Sequence, residues 1–417
     1  MRTGIDVAEA RSLVLAAAEP LPSETVTVIE GMGRVLATSV ESTRTLPPAD
    51  CSAMDGYAVR REDLRGATPG APCELRVVYE VPAGGRGPRP LTRGEAARIF
   101  TGAPVPEGAN SVVRQEDTEA AGDRVRIQVE PELREHVRDA GEDVRAGDEV
   151  LAPGTVLGPG HAGMLASLGR TWVSVHRRPR VAILSGGDEL VDPDGDASGG
   201  RIVASNAYSL AAQAVEAGAV TSNLGIARDT PEDLERVLRA GLDADVLVSS
   251  AGVSVGDHDH VRPVLEKIGC RLVFWGVNMK PGYPIAFGRF EEGPGPLVFG
   301  LPGNPVSAMV TFDQFVRPLL LRMGGRRRIF RPVIKASLVE DLEKKAGRLH
   351  FVRVALTREG DRVLASSTGN QSSGVLRSMT LAQGLLIFPA ETTEIRSGSE
   401  VDVQLLDPEF EARTEAP

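Results

Sequence analysis

Cysteine is scarce in this chain: Cys51, Cys73 and Cys270 are the only three in 417 residues. They are too few and too scattered for a disulfide framework or a zinc site. No run of about 18 apolar residues occurs, so nothing reads as a membrane-spanning helix. The opening stretch, Met1-Arg2-Thr3-Gly4-Ile5-Asp6-Val7, has no signal-peptide apolar core, and the expectation is a cytoplasmic protein. Positive charge is in deficit. The 47 Lys and Arg against 57 Asp and Glu leave a net charge of −10, which disfavours nonspecific nucleic-acid binding. Anions can still be held by local Lys, Arg and backbone donors. Aromatic residues are few, whereas Gly (46) and Pro (29) are abundant and imply many turns and much β structure. The length suggests two to four soluble globular domains.

Residues 7–19 carry an amphipathic helical pattern. Residues 60–147 read as β-rich, with short strands at Leu75–Val81, Ala96–Phe100, Ser111–Arg114 and Val125–Val129. Three small-residue loops stand in or beside this region: Ser52-Ala53-Met54-Asp55-Gly56-Tyr57-Ala58, Thr101-Gly102-Ala103-Pro104-Val105-Pro106 and Gly141-Glu142-Asp143. On their own residues each reads as a surface turn or a binding loop. From Arg180 onward strands and helices alternate, which implies an open, largely parallel α/β sheet. Thr230-Pro231 and Asn304-Pro305 are helix starts, and Pro318 should kink the last helix. Arg326-Arg327-Arg328 reads as a hinge, and residues 331–406 read as a small barrel or sandwich.

Ligands of open α/β sheets sit off the carboxyl ends of the strands. That rule gathers Ser185–Glu189, Arg228–Asp229, Ser249–Asp259 and Pro302–Ser307. The third of these loops is rich in Ser and Gly, with Ser249, Gly252, Ser254 and Gly256 able to cradle a phosphate. Asp257 and Asp259 stand at its lip, where two carboxylates suit Mg²⁺ shared with phosphate oxygens. The stretch is neither a Walker loop nor a dinucleotide fingerprint, and a tight turn with solvated acids reads equally well.

Seven motifs in order make the chain resemble the molybdopterin molybdotransferases, the family of MoeA and the gephyrin E domain. They are the three loops above, Gly187-Asp188-Glu189-Leu190, Gly252-Val253-Ser254-Val255-Gly256-Asp257-His258-Asp259, Met279-Lys280-Pro281-Gly282 and Leu301-Pro302-Gly303-Asn304-Pro305-Val306-Ser307. The resemblance runs from about residue 7 to residue 406. It implies an α/β plus β protein, an elongated multidomain protomer. A central open, mostly parallel α/β sheet domain (179–326) would be joined by an inserted β-rich domain (45–147) and a C-terminal small β-barrel (327–407). Residues 1–44 and 148–178 would form a discontinuous dimerisation domain, with 408–417 a disordered tail.

The implied activity inserts molybdenum from molybdate into adenylylated molybdopterin and releases AMP. The implied setting is a homodimer with shared active sites that exchanges material with a molybdopterin adenylyltransferase and with molybdoenzymes, without nucleic acid or membrane. Asp55, Thr101, Asp143, Glu189, Asp229 and Lys280 are the expected catalytic residues. Asp188, Glu189, Asp229, Asp257 and Asp259 are the expected Mg²⁺ ligands. Substrate contacts fall to Ser249, Gly252, Ser254, Gly256, Pro302, Asn304, Pro305, Ser307, Arg353 and Ser373, with Arg348 beside them. The alternative is a catalytically weak molybdopterin-binding scaffold. It is favoured by Tyr283, which stands where the family usually has a second lysine. Ala49, Cys51, Asn110, Gly186 and Ala251 also depart from the family pattern, and bear on oxyanion specificity and rate more than on fold.

Overall fold

The computed structural model describes residues 1–250, 261–291 and 295–410. Gly252, Ser254, Gly256, Asp257 and Asp259 therefore lie outside the described residues. The chain forms two compact units, one of Met1–Ala37 with Trp172–Pro417 and one of Thr38–Thr171.

The first unit holds a seven-stranded sheet in the order Arg2–Ile5, Cys270–Val277, Ala286–Phe290, Leu297–Leu301, Val246–Ser250, Arg180–Gly186, Val220–Ala227. Its pairings are parallel except for the two made by Ala286–Phe290. Val246–Ser250 is buried along its whole length, as an apolar run in a sheet covered on both faces should be. Alternation divides it between two cores. Val246 and Val248 pack with Leu210, Ala214 and Phe299 on one face. Leu247 packs with Leu234, Leu238 and Leu265 on the other. Thr230 caps the helix Pro231–Ala240, its hydroxyl accepting from the Asp233 N–H at 3.4 Å. The helix after Pro305 is α-helical to Thr311, passes through a π-helical turn at Phe312–Val316, and resumes over Arg317–Met323. Pro318 offers no N–H to close the usual ladder, so the irregular turn falls just before it.

The C-terminal strands close into a five-stranded barrel. Leu349–Glu359 pairs with Arg362–Ser367 on one side and Gly384–Phe388 on the other, and Val333–Leu338 and Glu400–Leu405 complete the circuit. Leu338, Val354, Leu356, Leu386 and Val403 fill it. Among the contacts that join the barrel to the α/β part of the same unit, two matter most for the site. At one, the buried Asp313 of the π-helical turn accepts from Arg331 Nε at 2.6 Å and from Gln404 Nε2 at 2.8 Å. At the other, Met279–Lys280 runs parallel to Leu349–His350 as an added edge of the barrel sheet.

The second unit is built on a six-stranded sheet in the order Ser111–Arg114, Gly56–Val59, Glu95–Ile99, Cys73–Val81, Arg124–Ile127, Thr118–Ala121. Its faces carry separate apolar clusters, one around Val59, Leu64 and Val125, the other around Ala58, Ile99 and Val112. A short helix, Pro159–Ser167, follows. Among the described residues of the chain no helix is long and apolar enough to cross a membrane.

Candidate functional site

Two of the strand-end loops gathered from the sequence meet at the carboxyl end of the parallel sheet, beside Ser249 and Ser250 at the start of a third. The backbone N–H of Asp188 donates to Asp229 Oδ2 at 3.3 Å, and that of Asp229 donates to Asp188 Oδ1 at 3.2 Å. This reciprocal pair laces two loops and, among the described residues, leaves one oxygen of each carboxylate without a hydrogen-bond partner. Gly187, at φ +141°, turns the chain so that the Glu189 carboxylate lies over it; a Cβ there would sit 2.5 Å from Glu189 Oε2. Deeper in, the hydroxyls of Ser185 and Ser250 are 3.3 Å apart, and Ser249 is buried. The donor set of hard carboxylate oxygens on adjoining loops suits Mg²⁺, which takes few protein ligands and shares phosphate oxygens. Among the described residues no group of three metal-ligating side chains is assembled.

The other site residues of this unit meet in a cleft of about 640 Å³. It is lined by Lys280, Pro281, Tyr283, Pro302, Asn304, Ser307, Arg348 and Ser373, among others. The parallel pairing of Lys280 with His350 sets two cations, Lys280 and Arg348, at one mouth. Neither has a carboxylate partner among the described residues. Their field shows in His350, whose pKa falls from 6.5 to about 4, first through burial and then through Lys280, Lys344 and Arg348. Asn304 precedes the helix without capping it through its side chain, which leaves the amide to the cleft. The Val306 N–H donates to the Ser373 carbonyl at 3.1 Å, bringing the barrel loop onto the start of that helix. Asn206 Nδ2 holds the Gly303 carbonyl at 2.7 Å.

Arg353 sits differently. It is 1% exposed, and its guanidinium donates to Ser378 Oγ and to the carbonyls of Asn370 and Ser372. Burial pushes its pKa down to about 10, so it stays cationic at neutral pH. It shapes the loop that carries Ser373.

In the second unit the three small-residue loops form one cluster. The Thr101 N–H and hydroxyl both donate to Asp55 Oδ1 at 2.8 Å. Those bonds, backbone first, hold the Asp55 carboxyl below the usual range. Ser52 N–H reaches the Ala103 carbonyl, Ala53 N–H the His136 carbonyl, and Asp143 N–H the Leu46 carbonyl. The exposed Asp143 thus stands on a backbone tied to the segment that leads to Asp55. Asp50 was not singled out in the sequence, yet it braces the cluster. It accepts from the Ala140 N–H and from Arg134 Nη2, both at 2.9 Å. Tyr283, singled out in the sequence as a departure from the family pattern, lines the cleft, and so does Gln371, which carries no charge or motif signal in sequence.

Known proteins carry the same organisation. Residues 5–169 match the MoeA N-terminal region (domain I and II), residues 182–322 a probable molybdopterin binding domain, and residues 335–406 the MoeA C-terminal region (domain IV). A molybdopterin molybdenumtransferase of Nostoc sp. is 40% identical over 382 residues, covering 91% of this chain and 88% of that protein. Molybdopterin molybdenumtransferase 2 of Mycobacterium tuberculosis is 37% identical, covering 91% and 94%. A crystal structure of a molybdopterin biosynthesis MoeA protein from Pyrococcus horikosii superposes with a TM-score of 0.84 at 32% identity, over 96% of this chain and 99% of that one. With this identity spanning nearly the whole chain of each relative, and all three regions present in order, the chain belongs to the MoeA family of molybdopterin molybdenumtransferases.

Proposed function

We propose that the protein is an enzyme of molybdenum cofactor biosynthesis that takes adenylylated molybdopterin and molybdate, inserts molybdenum at the dithiolene, and releases AMP. The observation that carries this reading is the cleft in which Lys280 and Arg348 stand, without acidic partners among the described residues, beside Asn304, Ser307 and Ser373. An oxyanion such as molybdate supplies the missing negative charge there. Cleaving the pyrophosphate asks for positioning and charge neutralisation more than for a strong base. In this reading Asp188, Glu189 and Asp229, with Asp257 and Asp259, hold Mg²⁺. The ion would supply Lewis-acid neutralisation of the phosphates. Ser249, Gly252, Ser254 and Gly256 line the phosphates, and Pro302, Asn304, Pro305 and Ser307 fix the far end of the substrate.

Asp55, Thr101 and Asp143 are assigned to the same chemistry, reaching it from the partner subunit of a homodimer. Asp55 enters as a carboxylate, which its two Thr101 hydrogen bonds support. The work is assigned to the cytoplasm, with a molybdopterin adenylyltransferase upstream and molybdoenzymes downstream. The test is AMP release from adenylylated molybdopterin, molybdate and Mg²⁺ by the purified protein. Release that depends on molybdate supports the transferase. Binding without release overturns it in favour of the scaffold.

A further inference from the structure

We propose that Tyr283 is a positioning residue for the oxyanion, acting through Arg348. This rests on the reading of the cleft as a molybdate site. The Arg348 guanidinium lies over the Tyr283 ring, 4.5 Å from its centroid. Arg348 is exposed and, among the described residues, has no carboxylate to hold it. An exposed arginine of that kind samples many rotamers, and a guanidinium stacked on an aromatic face loses that freedom before its ligand arrives.

The ring itself is held on several sides. Trp275 meets it edge-on at 5.7 Å between centroids. Gly276 lies beneath it so closely that a Cβ would come within 3.3 Å of the ring and its hydroxyl. The Tyr283 carbonyl accepts the N–H groups of Val277 and Ile285 at 3.0 and 2.9 Å, which fixes the loop that carries it. On the other side, the Leu349 N–H donates to the Asn278 carbonyl at 3.1 Å, so the residue after Arg348 is anchored to the same loop. Both partners of the stack are thus tied to one short stretch of backbone. The planar guanidinium lines the same cleft as Asn304 and Ser307, and its N–H edge suits a tetrahedral oxyanion.

The experiment is equilibrium binding of molybdate to the full chain, with KM for molybdate and kcat followed alongside. Tyr283→Leu should weaken molybdate binding about tenfold, with kcat at saturating molybdate and the KM for the pterin substrate little changed. Tyr283→Phe keeps the ring and should bind as the unaltered protein does. In an Arg348→Ala background Tyr283→Leu should add nothing, because the two side chains act as one unit. Unchanged binding in Tyr283→Leu, an equal loss in Tyr283→Phe, or a full further loss in the Arg348→Ala background each overturns the proposal. Absence of molybdate binding in the unaltered protein would instead remove the oxyanion reading, and this assignment with it.

Discussion

Two of the places where the barrel meets the α/β part of its unit treat charge in opposite ways. At Asp313 and Arg331, both nearly sealed from solvent, an acid and a base are matched and every carboxylate oxygen is used. At Lys280 and Arg348 the cations have no acidic partner among the described residues and face an open cleft. A matched buried pair is costly to break because it leaves a lone charge in a poor solvent. An unmatched pair at a cleft contributes little to stability and stays available to a ligand. The contrast separates residues that hold the barrel in position from residues that, in the proposed reading, bind.

The strongest way to break this comparison is Asp313→Ala, which takes the buried acid from Arg331 and leaves it only the exposed Glu216 as a carboxylate partner. It should destabilise the unit by about 3–5 kcal/mol in urea unfolding. Lys280→Ala should do the reverse. Its stability should stay within about 0.5 kcal/mol of the original, while AMP release falls by about 10²–10³-fold. Loss of stability comparable to that of Asp313→Ala would erase the distinction. Asp229→Ala should leave the unit folded, lower AMP release and raise the Mg²⁺ concentration needed for half-maximal rate, since it removes one open carboxylate oxygen beside Asp188.

A subtler effect concerns His350. Its pKa is lower in the folded chain, about 4, than the ordinary 6.5. Between those values the unfolded chain binds more protons, so stability falls as pH drops from about 6.5 toward 4. His350→Gln should flatten that slope in thermal midpoints measured across the window, and a steeper slope would contradict it. The smallest effect expected is that of Thr101→Val. It removes the hydroxyl but not the N–H donor, so the Asp55 carboxyl should titrate at a higher pH, seen by NMR, with the fold intact.

Much of the architecture was legible because its signals are local. The apolar run at Val246–Val248, the Thr230-Pro231 start and the alternating strands of the barrel declare themselves within a few residues. The expected helix at 7–19 ends at Ala16. The edge strand Arg2–Ile5 carried no periodicity to announce it, because it takes its order from pairing with Cys270–Val277. The small helix Arg377–Leu381 was likewise silent. In the site, Asp188 and Asp229 were visible as acids at strand ends, but their reciprocal N–H bonds depend on two loops meeting. Arg353 and Arg348 looked alike in sequence. Only packing distinguishes the one spent on loop carbonyls from the one laid on Tyr283. Asp50 escaped notice because its partners, Ala140 and Arg134, lie some ninety residues away in the chain.

The two-residue splice of Met279–Lys280 onto the barrel edge has a mechanical meaning. It writes Lys280 into the edge of the barrel sheet, beside His350 and two residues from Arg348 in register. Parting this pairing would carry Arg348 away from Lys280, since one is borne by the barrel and the other by the α/β part. In the proposed reading, the seat of the barrel therefore sets the spacing of the two cations that meet the oxyanion.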